Sequence, residues 1–458
     1  MFSTDDSIVA VATPPGRGGI GVVRISGSSS HEIANLILDW HGPLEPRRAT
    51  LTRVRAAGQE GSRDTLDEVV ATYFPAPRSY TGEHVVEISA HGNPVVLGAI
   101  VSSAISAGAR LAEPGEFTLR AFLNGKRDLI QAEAVGDLIA AATPLQARVA
   151  FDQLEGTLTE RIAAIDVELF DLIARLEASL DFPDEGYHFI DPAETARRVG
   201  SVVAALDLLL GGARRGRMIR EGATVVFVGR TNVGKSSVFN MLAGSDRAIV
   251  TPIAGTTRDL VAEQVDVEGL AVTLVDTAGW RETFDVVERE GVARGERARE
   301  VADLLVLVLD RSEPLNAEDE QLLAQTSDRR RIVVTNKADL PAACDTAIGG
   351  APAVSLLNVS AKTGAGADEL RRGIASELTG GDSLRDTAAI SNLRHIVLIE
   401  QARASLAAAE QAVAAGGTPE EYVLADLQAA RARLEEVVGV RTSEDLLRHI
   451  FETFCIGK

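Results

Sequence analysis

The chain has 458 residues, with 46 basic against 66 acidic side chains and a formal net charge of -20. That is room for about three domains of ordinary size, and it is too acidic for a surface that coats nucleic acid. Its two cysteines, Cys344 and Cys455, lie far apart without metal-ligand spacing, which argues against a disulfide framework or zinc site and fits a reducing cytoplasm.

Met1 to Asp6 shows no signal-peptide pattern, and the longest apolar runs, such as Leu304 to Leu309, are strand-sized, so no membrane span is expected. Residues 1–118 alternate short strands, at Ile8–Ala12, Gly21–Ile25, Val69–Tyr73 and His84–Ser89, with helical patterns around His31–Leu38 and Pro94–Ala107. An α+β domain is the natural reading. Its loops Thr13–Gly19 and Arg78–His84 are rich in glycine, proline and small polar residues, a composition that serves a turn or a binding loop alike.

Residues 119–217 change to long helical patterns. Leu154, Leu158, Ile162, Ile165, Leu169, Leu172, Ile173 and Leu176 recur at three- and four-residue spacing, which predicts one amphipathic helix over Val149–Leu180. Residues 380–458 are helix-rich again, with Gly416-Gly417 separating one helix from the next. Between the flanks lies a compact module, residues 218–379. We read the flanks as one discontinuous all-α domain into which the module is inserted, with two independent helical domains as the alternative. Arg214, Arg215, Arg217 and Arg220 at the junction read as a solvated helix end or as a nucleic-acid contact.

Inside the module, Val225–Val228 supplies a buried strand, and Gly229-Arg-Thr-Asn232-Val233-Gly234-Lys235-Ser236 then fits G-x-x-x-x-G-K-[ST] in full, followed by Ser237. Backbone N–H groups of such a loop wrap phosphates, Lys235 reaches the outer phosphates, and the Ser236 hydroxyl is placed to ligate Mg2+. Three stretches follow in the order a nucleotide switch requires. Thr256-Thr257 offers Thr257 as a second Mg2+ ligand. The strand Val272–Val275 delivers Asp276-Thr277-Ala278-Gly279, in which Asp276 would hold the metal through water. The strand Arg331–Thr335 delivers Asn336-Lys337-Ala338-Asp339, and a buried Asp339 carboxylate would accept from the two adjacent donors of guanine. Ser360-Ala361-Lys362 completes the base pocket. The fold class is therefore multidomain, with an inserted α/β P-loop G domain that takes GTP.

Where many GTPases carry a glutamine that orients water after the Asp-x-x-Gly motif, this chain has Trp280. An indole cannot do that work. The carboxylates of Glu282–Glu290 follow directly and are candidates for it. Asn232, together with the oxygen-rich Thr251-Pro252-Ile253-Ala254-Gly255-Thr256, forms a set that suits a monovalent cation whose charge offsets that between the β- and γ-phosphates.

With these residues assembled, the chain resembles the MnmE family, also called TrmE, of bacterial and organellar tRNA-modification GTPases. The resemblance covers essentially the whole chain and rests on Thr13–Gly19, Arg24–Gly27, Ser79–Glu83, Pro114–Thr118, Ala121–Lys126, Gln131–Val135, the nucleotide motifs and the terminal Cys455-Ile-Gly-Lys458. It implies an N-terminal folate-binding-like domain that mediates a homodimer, with a 5- or 10-formyl-tetrahydrofolate contacted by Arg24, Glu83, Lys126 and Lys458. It implies that Asn232, Thr251, Ile253 and Thr256 ligate K+, that Ser236 and Thr257 ligate Mg2+, and that Glu288 is the general base through an intervening water. GTP hydrolysis would accompany K+-dependent dimerisation of the G domains.

The same resemblance implies a flavoprotein partner, MnmG or GidA, in a heterotetramer or larger complex. With it, an aminomethyl or carboxymethylaminomethyl group is built on C5 of the wobble uridine of certain tRNAs, the tRNA being held mainly by the partner. Cys455 matches the family's tail cysteine. Ala90-His91-Gly92-Asn93 and Thr231 depart from the family's usual residues without touching an implied ligand. A ribosome-assembly or regulatory switch shares the nucleotide motifs but explains neither the N-terminal loops nor the tail. A folate-dependent methyltransferase would need a catalytic acid that the N-terminal region does not show.

Overall fold

The computed structural model describes residues 5–56, 65–181, 191–244, 261–276, 302–343, 356–381, 390–415 and 419–458. Packing divides the chain into two compact units, Met1–Gly136 with Gln153–Val202 and Gln401–Lys458, and Asp137–Asp152 with Val203–Glu400.

The first unit begins with β1 (Ile8–Val11), β2 (Gly18–Ser26), α1 (Ser30–Ile37), β3 (Thr50–Arg55), β4 (Thr65–Phe74), β5 (Val85–Gly92), α2 (Pro94–Ser106) and β6 (Arg110–Leu111). The strands form one sheet in the order β3-β4-β5-β2-β1-β6, antiparallel except where β6 joins β1. Val23, Ile25, Val86 and Ile88 from the sheet meet Ile33, Leu97 and Ile100 from α1 and α2 in a shared core. Alternation along β2 and β5 puts these residues on one face. The start of α2 is set by Pro94 at the first helical turn and by the Asn93 side chain, which accepts from the Val95 N–H at 2.9 Å. Strand β3 has no counterpart in the sequence reading, because its buried face carries Thr50, Thr52 and Val54 while Leu51 faces solvent.

Helices α3 (Glu116–Leu123), α4 (Leu129–Ala140), α5 (Pro144–Leu154), α6 (Thr157–Asp181), α7 (Pro192–Gly211) and α8 (Ala213–Glu221) follow. The single helix expected over Val149–Leu180 is thus two helices. The first stops at Leu154, whose carbonyl accepts from Gln131 Nε2 at 3.1 Å, and Gly156 lets the chain turn before Thr157.

The second unit holds β7 (Ala223–Val228), α9 (Lys235–Ala243), β8 (Val261–Val267), β9 (Leu270–Asp276), β10 (Leu304–Asp310), α10 (Ala317–Gln325), β11 (Arg331–Asn336), β12 (Leu356–Asn358) and α11 (Ala367–Thr379). Its sheet runs β12-β11-β10-β7-β9-β8, parallel except for β8 against β9. Val225, Phe227, Val306 and Val308 enter one core and Val226, Val228, Leu305 and Leu307 another. Burial on both faces is why these strands read as continuous apolar runs. Parallel direction also brings the carboxyl ends of β7, β9, β10 and β11 to one edge, where an open α/β sheet binds ligands.

Helices α12 (Leu393–Ala415), α13 (Glu420–Val438) and α14 (Glu444–Glu452) end the chain. Within the first unit α13 packs on α6: Arg431 pairs with Asp166 at 2.7 Å and lies over Phe170 at 4.9 Å, and Gln428 donates to Glu177 at 2.8 Å. Leu447 and Phe451 of α14 pack with Leu119 of α3 and Leu129. Helices before and after the inserted module therefore build one discontinuous helical domain. Among the described residues no helix is long and apolar enough to cross a membrane.

The terminal residues dock on the start of α3. The Phe117 N–H donates to the Lys458 carbonyl at 3.0 Å, and Ile456 bridges Pro114. Gly457 sits at φ +96°, where an added Cβ would overlap the Val11 carbonyl oxygen, so only glycine fits there.

A buried ion network ties the same region together. Arg120, 1% exposed, reaches Asp6 at 2.6 Å, Glu116 at 3.0 Å and Glu83 at 3.2 Å, and Arg110 meets Glu116 at 2.6 Å. Burial pushes the Glu116 carboxyl up, but Arg110, the Glu113 N–H and Arg120 outweigh it and hold the carboxyl below its ordinary 4.5. A depressed carboxylate adds stability above its unfolded value and loses it as pH falls through the folded one. Arg120→Met is expected to cost about 3–5 kcal/mol, because it leaves Glu83 without its cation and Asp6 and Glu116 with Arg110 alone. It should also flatten the loss of stability below pH 4.5; denaturation of the full chain across the acid range measures both.

Candidate nucleotide-binding site

The apolar strand β7 ends at Val228 and the chain turns through Gly229–Gly234 into α9. Asn232 and Gly234 both take left-handed backbone angles, φ +64° and +89°, and such a turn converges backbone N–H groups into an anion cradle. An added Cβ at Gly234 would overlap Asn336 Nδ2. Val233 is fully buried and anchors the loop. Lys235 is 7% exposed, and its Nζ donates to the Gly229 and Arg230 carbonyls at 2.9 and 2.7 Å. Ser236 and Ser237 are exposed on the first turn of α9. Asp276, 4% exposed, ends β9 and pairs in register with Phe227 of β7.

Asn336 joins three loops. Its Nδ2 donates to the Val233 carbonyl at 2.9 Å, and its Oδ1 accepts from the Ala361 N–H at 3.1 Å. The Ala338 N–H donates to the Val359 carbonyl at 3.0 Å, and Ser360 Oγ donates to Asp339 Oδ1 at 2.6 Å. The two stretches that the sequence assigns to the base, some twenty residues apart, thus meet. Asp339 itself is exposed, not buried as the argument from guanine's donors expects, because it stands beyond the end of β11 on the loop's rim. The Ser360 hydroxyl, then its own backbone N–H and the charges of Lys362 and Lys337, hold its carboxyl below the usual range. Lys362 is exposed, and Lys337, at φ +66°, pairs with Asp310.

Thr251, Pro252, Ile253, Ala254, Gly255, Thr256, Thr257, Thr277, Ala278, Gly279 and Glu288 lie outside the described residues. Two side chains at the site escaped the sequence reading. Asp310 ends β10 beside Asn336, and a carboxylate closing an apolar strand was the available signal. Arg230, in the phosphate loop, pairs with Glu313 at 2.5 Å and Asp319 at 3.2 Å. In the junction cluster, Arg217 and Arg220 pair with Glu221 and Asp137 at 2.8 and 2.7 Å, which favours the solvated helix-end reading for those two.

The N-terminal residues form a second constellation. The Arg24 guanidinium lies over the Tyr80 ring at 4.8 Å and the Phe117 ring at 5.6 Å and pairs with Glu87 at 2.8 Å, yet its Nη1 is buried without a hydrogen-bond partner. Burial, and then the Arg24 charge, push the Lys458 ammonium down against Cys455 and Glu87. Arg24 and Lys458 are therefore near enough to feel each other's charge, with Glu87 paired to Arg24 beside them. Glu83 has both oxygens engaged, by Ser26 at 2.7 Å and by Arg120. Lys126 is exposed, its stem beside Gly82. Cys455 is an exposed free thiol.

Comparison with known proteins covers the whole chain. The family model described as the MnmE helical domain matches residues 129–455, and that of the GTP-binding protein TrmE N-terminus matches residues 7–126. The chain is 43% identical over 461 residues to a tRNA modification GTPase MnmE of Koribacter versatilis, covering 100% of each. It is 44% identical to those of Azoarcus sp. and Chloroflexus aurantiacus, covering 99% of this chain and 98% and 100% of theirs. Among solved structures, Aquifex aeolicus Era bound to GDP and aluminium fluoride matches 40% of this chain and 66% of its own at 28% identity and a TM-score of 0.27.

Gly234→Ala is expected to weaken guanine-nucleotide binding by roughly 10–100-fold, the span of strain at a backbone angle only glycine tolerates. Equilibrium titration with a fluorescent GDP analogue reads it.

Proposed function

The chain belongs to the MnmE family of tRNA modification GTPases, and on that premise we propose that residues Gly229–Ser237, Asp276, Asn336–Asp339 and Ser360–Lys362 bind and turn over GTP to drive modification of the wobble uridine. The observation that carries the reading is the Asn336 junction, which holds the phosphate loop and the guanine-reading loops in one body. The residues present fit the metal this chemistry needs: the Ser236 hydroxyl and the Asp276 carboxylate are hard oxygen donors on neighbouring elements, the set that Mg2+ takes. Ser236 and Thr257 would hold Mg2+, which would supply charge neutralisation at the phosphates. Asn232, Thr251, Ile253 and Thr256 would hold K+ when two G domains of a homodimer meet, and Glu288 would be the general base, through an intervening water, that Trp280 cannot be.

The N-terminal constellation would hold a formyl-tetrahydrofolate through Arg24, Glu83, Lys126 and Lys458, the group supplying a one-carbon unit. The unpartnered Arg24 Nη1 supports this fit. A flavoprotein partner of the MnmG type supplies redox chemistry and most of the tRNA surface, since a chain of net charge -20 repels phosphates. The complex works in the cytoplasm and adds an aminomethyl or carboxymethylaminomethyl group to C5 of the uridine.

GTP hydrolysis by the native chain should rise strongly in potassium buffer over sodium buffer, and Glu288→Ala should abolish that rise while retaining nucleotide binding. Equal rates in the two salts would remove the cation from the account. In cells lacking the protein, mass spectrometry of tRNA should show unmodified wobble uridine; intact modification would contradict the proposal.

A further inference from the structure

Asp310 is a carboxylate at the end of a strand otherwise buried and apolar, and it is itself only 3% exposed. None of the phosphate, magnesium or base motifs contains it. Its Oδ1 accepts from the Ser312 N–H at 2.9 Å and from the Ser312 hydroxyl at 2.6 Å, and its Oδ2 pairs with Lys337 Nζ. The same segment grips the base-reading loop twice more. The Arg311 N–H donates to the Asn336 carbonyl at 3.0 Å, and Arg311 Nη1 donates to the Ala338 carbonyl at 3.2 Å.

Lys337 is thereby fixed at both ends. Its backbone sits at φ +66°, an angle costly for a side-chain-bearing residue, and this sets the direction of the side chain. Its ammonium is held by a carboxylate that two Ser312 donors keep in place. Burial pushes the Asp310 carboxyl up, but Lys337 and Ser312 hold it below the usual range, so it stays charged. Between the two fixed ends runs the four-carbon stem, an apolar surface carried by a charged residue. A lysine left free must lose rotamer freedom when a planar ring packs on it, whereas one already held has lost most of it.

We infer that Asp310 is a positioning residue for guanine-nucleotide binding, holding the Lys337 stem as a preformed floor for the base and so setting nucleotide affinity without touching the nucleotide. The inference rests on Asn336–Asp339 being the base-reading loop. A floor acts on the ring face, which guanine and hypoxanthine share. Asp339 acts on the ring edge, where hypoxanthine lacks the exocyclic amine. The two contributions are therefore separable by nucleotide.

The experiment titrates fluorescent GDP and inosine diphosphate into the full chain, native and as Asp310→Asn, Lys337→Met and the double variant, with thermal melting alongside. Asp310→Asn should weaken both nucleotides by the same factor, roughly three- to tenfold, which is the range that ordering one long side chain spans. In the Lys337→Met background the same substitution should add nothing. A weakening that persists without Lys337, a collapse of the preference for GDP over inosine diphosphate, or unchanged affinity would each overturn the inference. Should Asp310→Asn fail to fold, Ser312→Ala reads the same device: it leaves the ion pair and the backbone N–H contact but removes the hydroxyl that helps to hold the carboxylate, and should weaken both nucleotides about twofold. Native affinity in that variant would overturn the inference. Asp339→Asn tests the underlying reading, since undiminished GDP binding there would place the base elsewhere, whatever Asp310 does.

Discussion

One side-chain amide, that of Asn336, carries the constraint on which the nucleotide site depends. Phosphate binding needs a loop whose N–H groups point inward, and base selection needs a carboxylate held at the ring's edge. Separate strands deliver these parts, and nothing in the parallel sheet requires them to stay in mutual register beyond their first residues. Asn336 supplies that register by donating to the phosphate loop at Val233 and accepting from the second base loop at Ala361. It is 3% exposed, so leaving either amide atom unpaired would carry a desolvation cost of about 1–3 kcal/mol. The glycine at 234 follows from the same contact, since the amide occupies the space a Cβ would need.

The first unit solves a different problem, that of joining distant stretches of one chain. Arg120 gathers Asp6, Glu83 and Glu116 from three segments, and the last four residues fold back on Pro114–Phe117 and Val11. Helix α13 returns from beyond the inserted module to pack on α6. Insertion is tolerable because the flanking helices find each other through these contacts. Lys458, brought beside Arg24 by the docked tail, makes the end of the chain part of the N-terminal constellation.

Much of this was legible in the sequence because it is written in strong local signals. The phosphate loop, the apolar strands buried on both faces and the base motif all have spacing that only one structure satisfies. What was not legible lacks such a signal. Strand β3 hides threonines on its buried face and shows Leu51 to solvent, which defeats a reading based on apolar alternation. The heptad-like run through Val149–Leu180 continues across Gly156 although the helix does not, because three- and four-residue spacing is indifferent to one turn's interruption. A carboxylate closing an apolar strand marked Asp310, but its pairing with Lys337 could be seen only once the sheet order placed β10 beside β11, and the proximity of Lys458 to Arg24 is a long-range contact that no periodicity encodes. Glu288 and the cation loop Thr251–Thr256 were named from motif position and lie outside the described residues.

The most direct test of the central claim is the affinity of Asn336→Ala for GTP and for inorganic tripolyphosphate, a probe with no base. If Asn336 holds the phosphate and base loops as one body, the substitution must weaken both, even though its side chain would touch only the base end of a nucleotide. Loss of GTP affinity with tripolyphosphate binding intact would show that the two halves of the site stand independently, and would contradict the account.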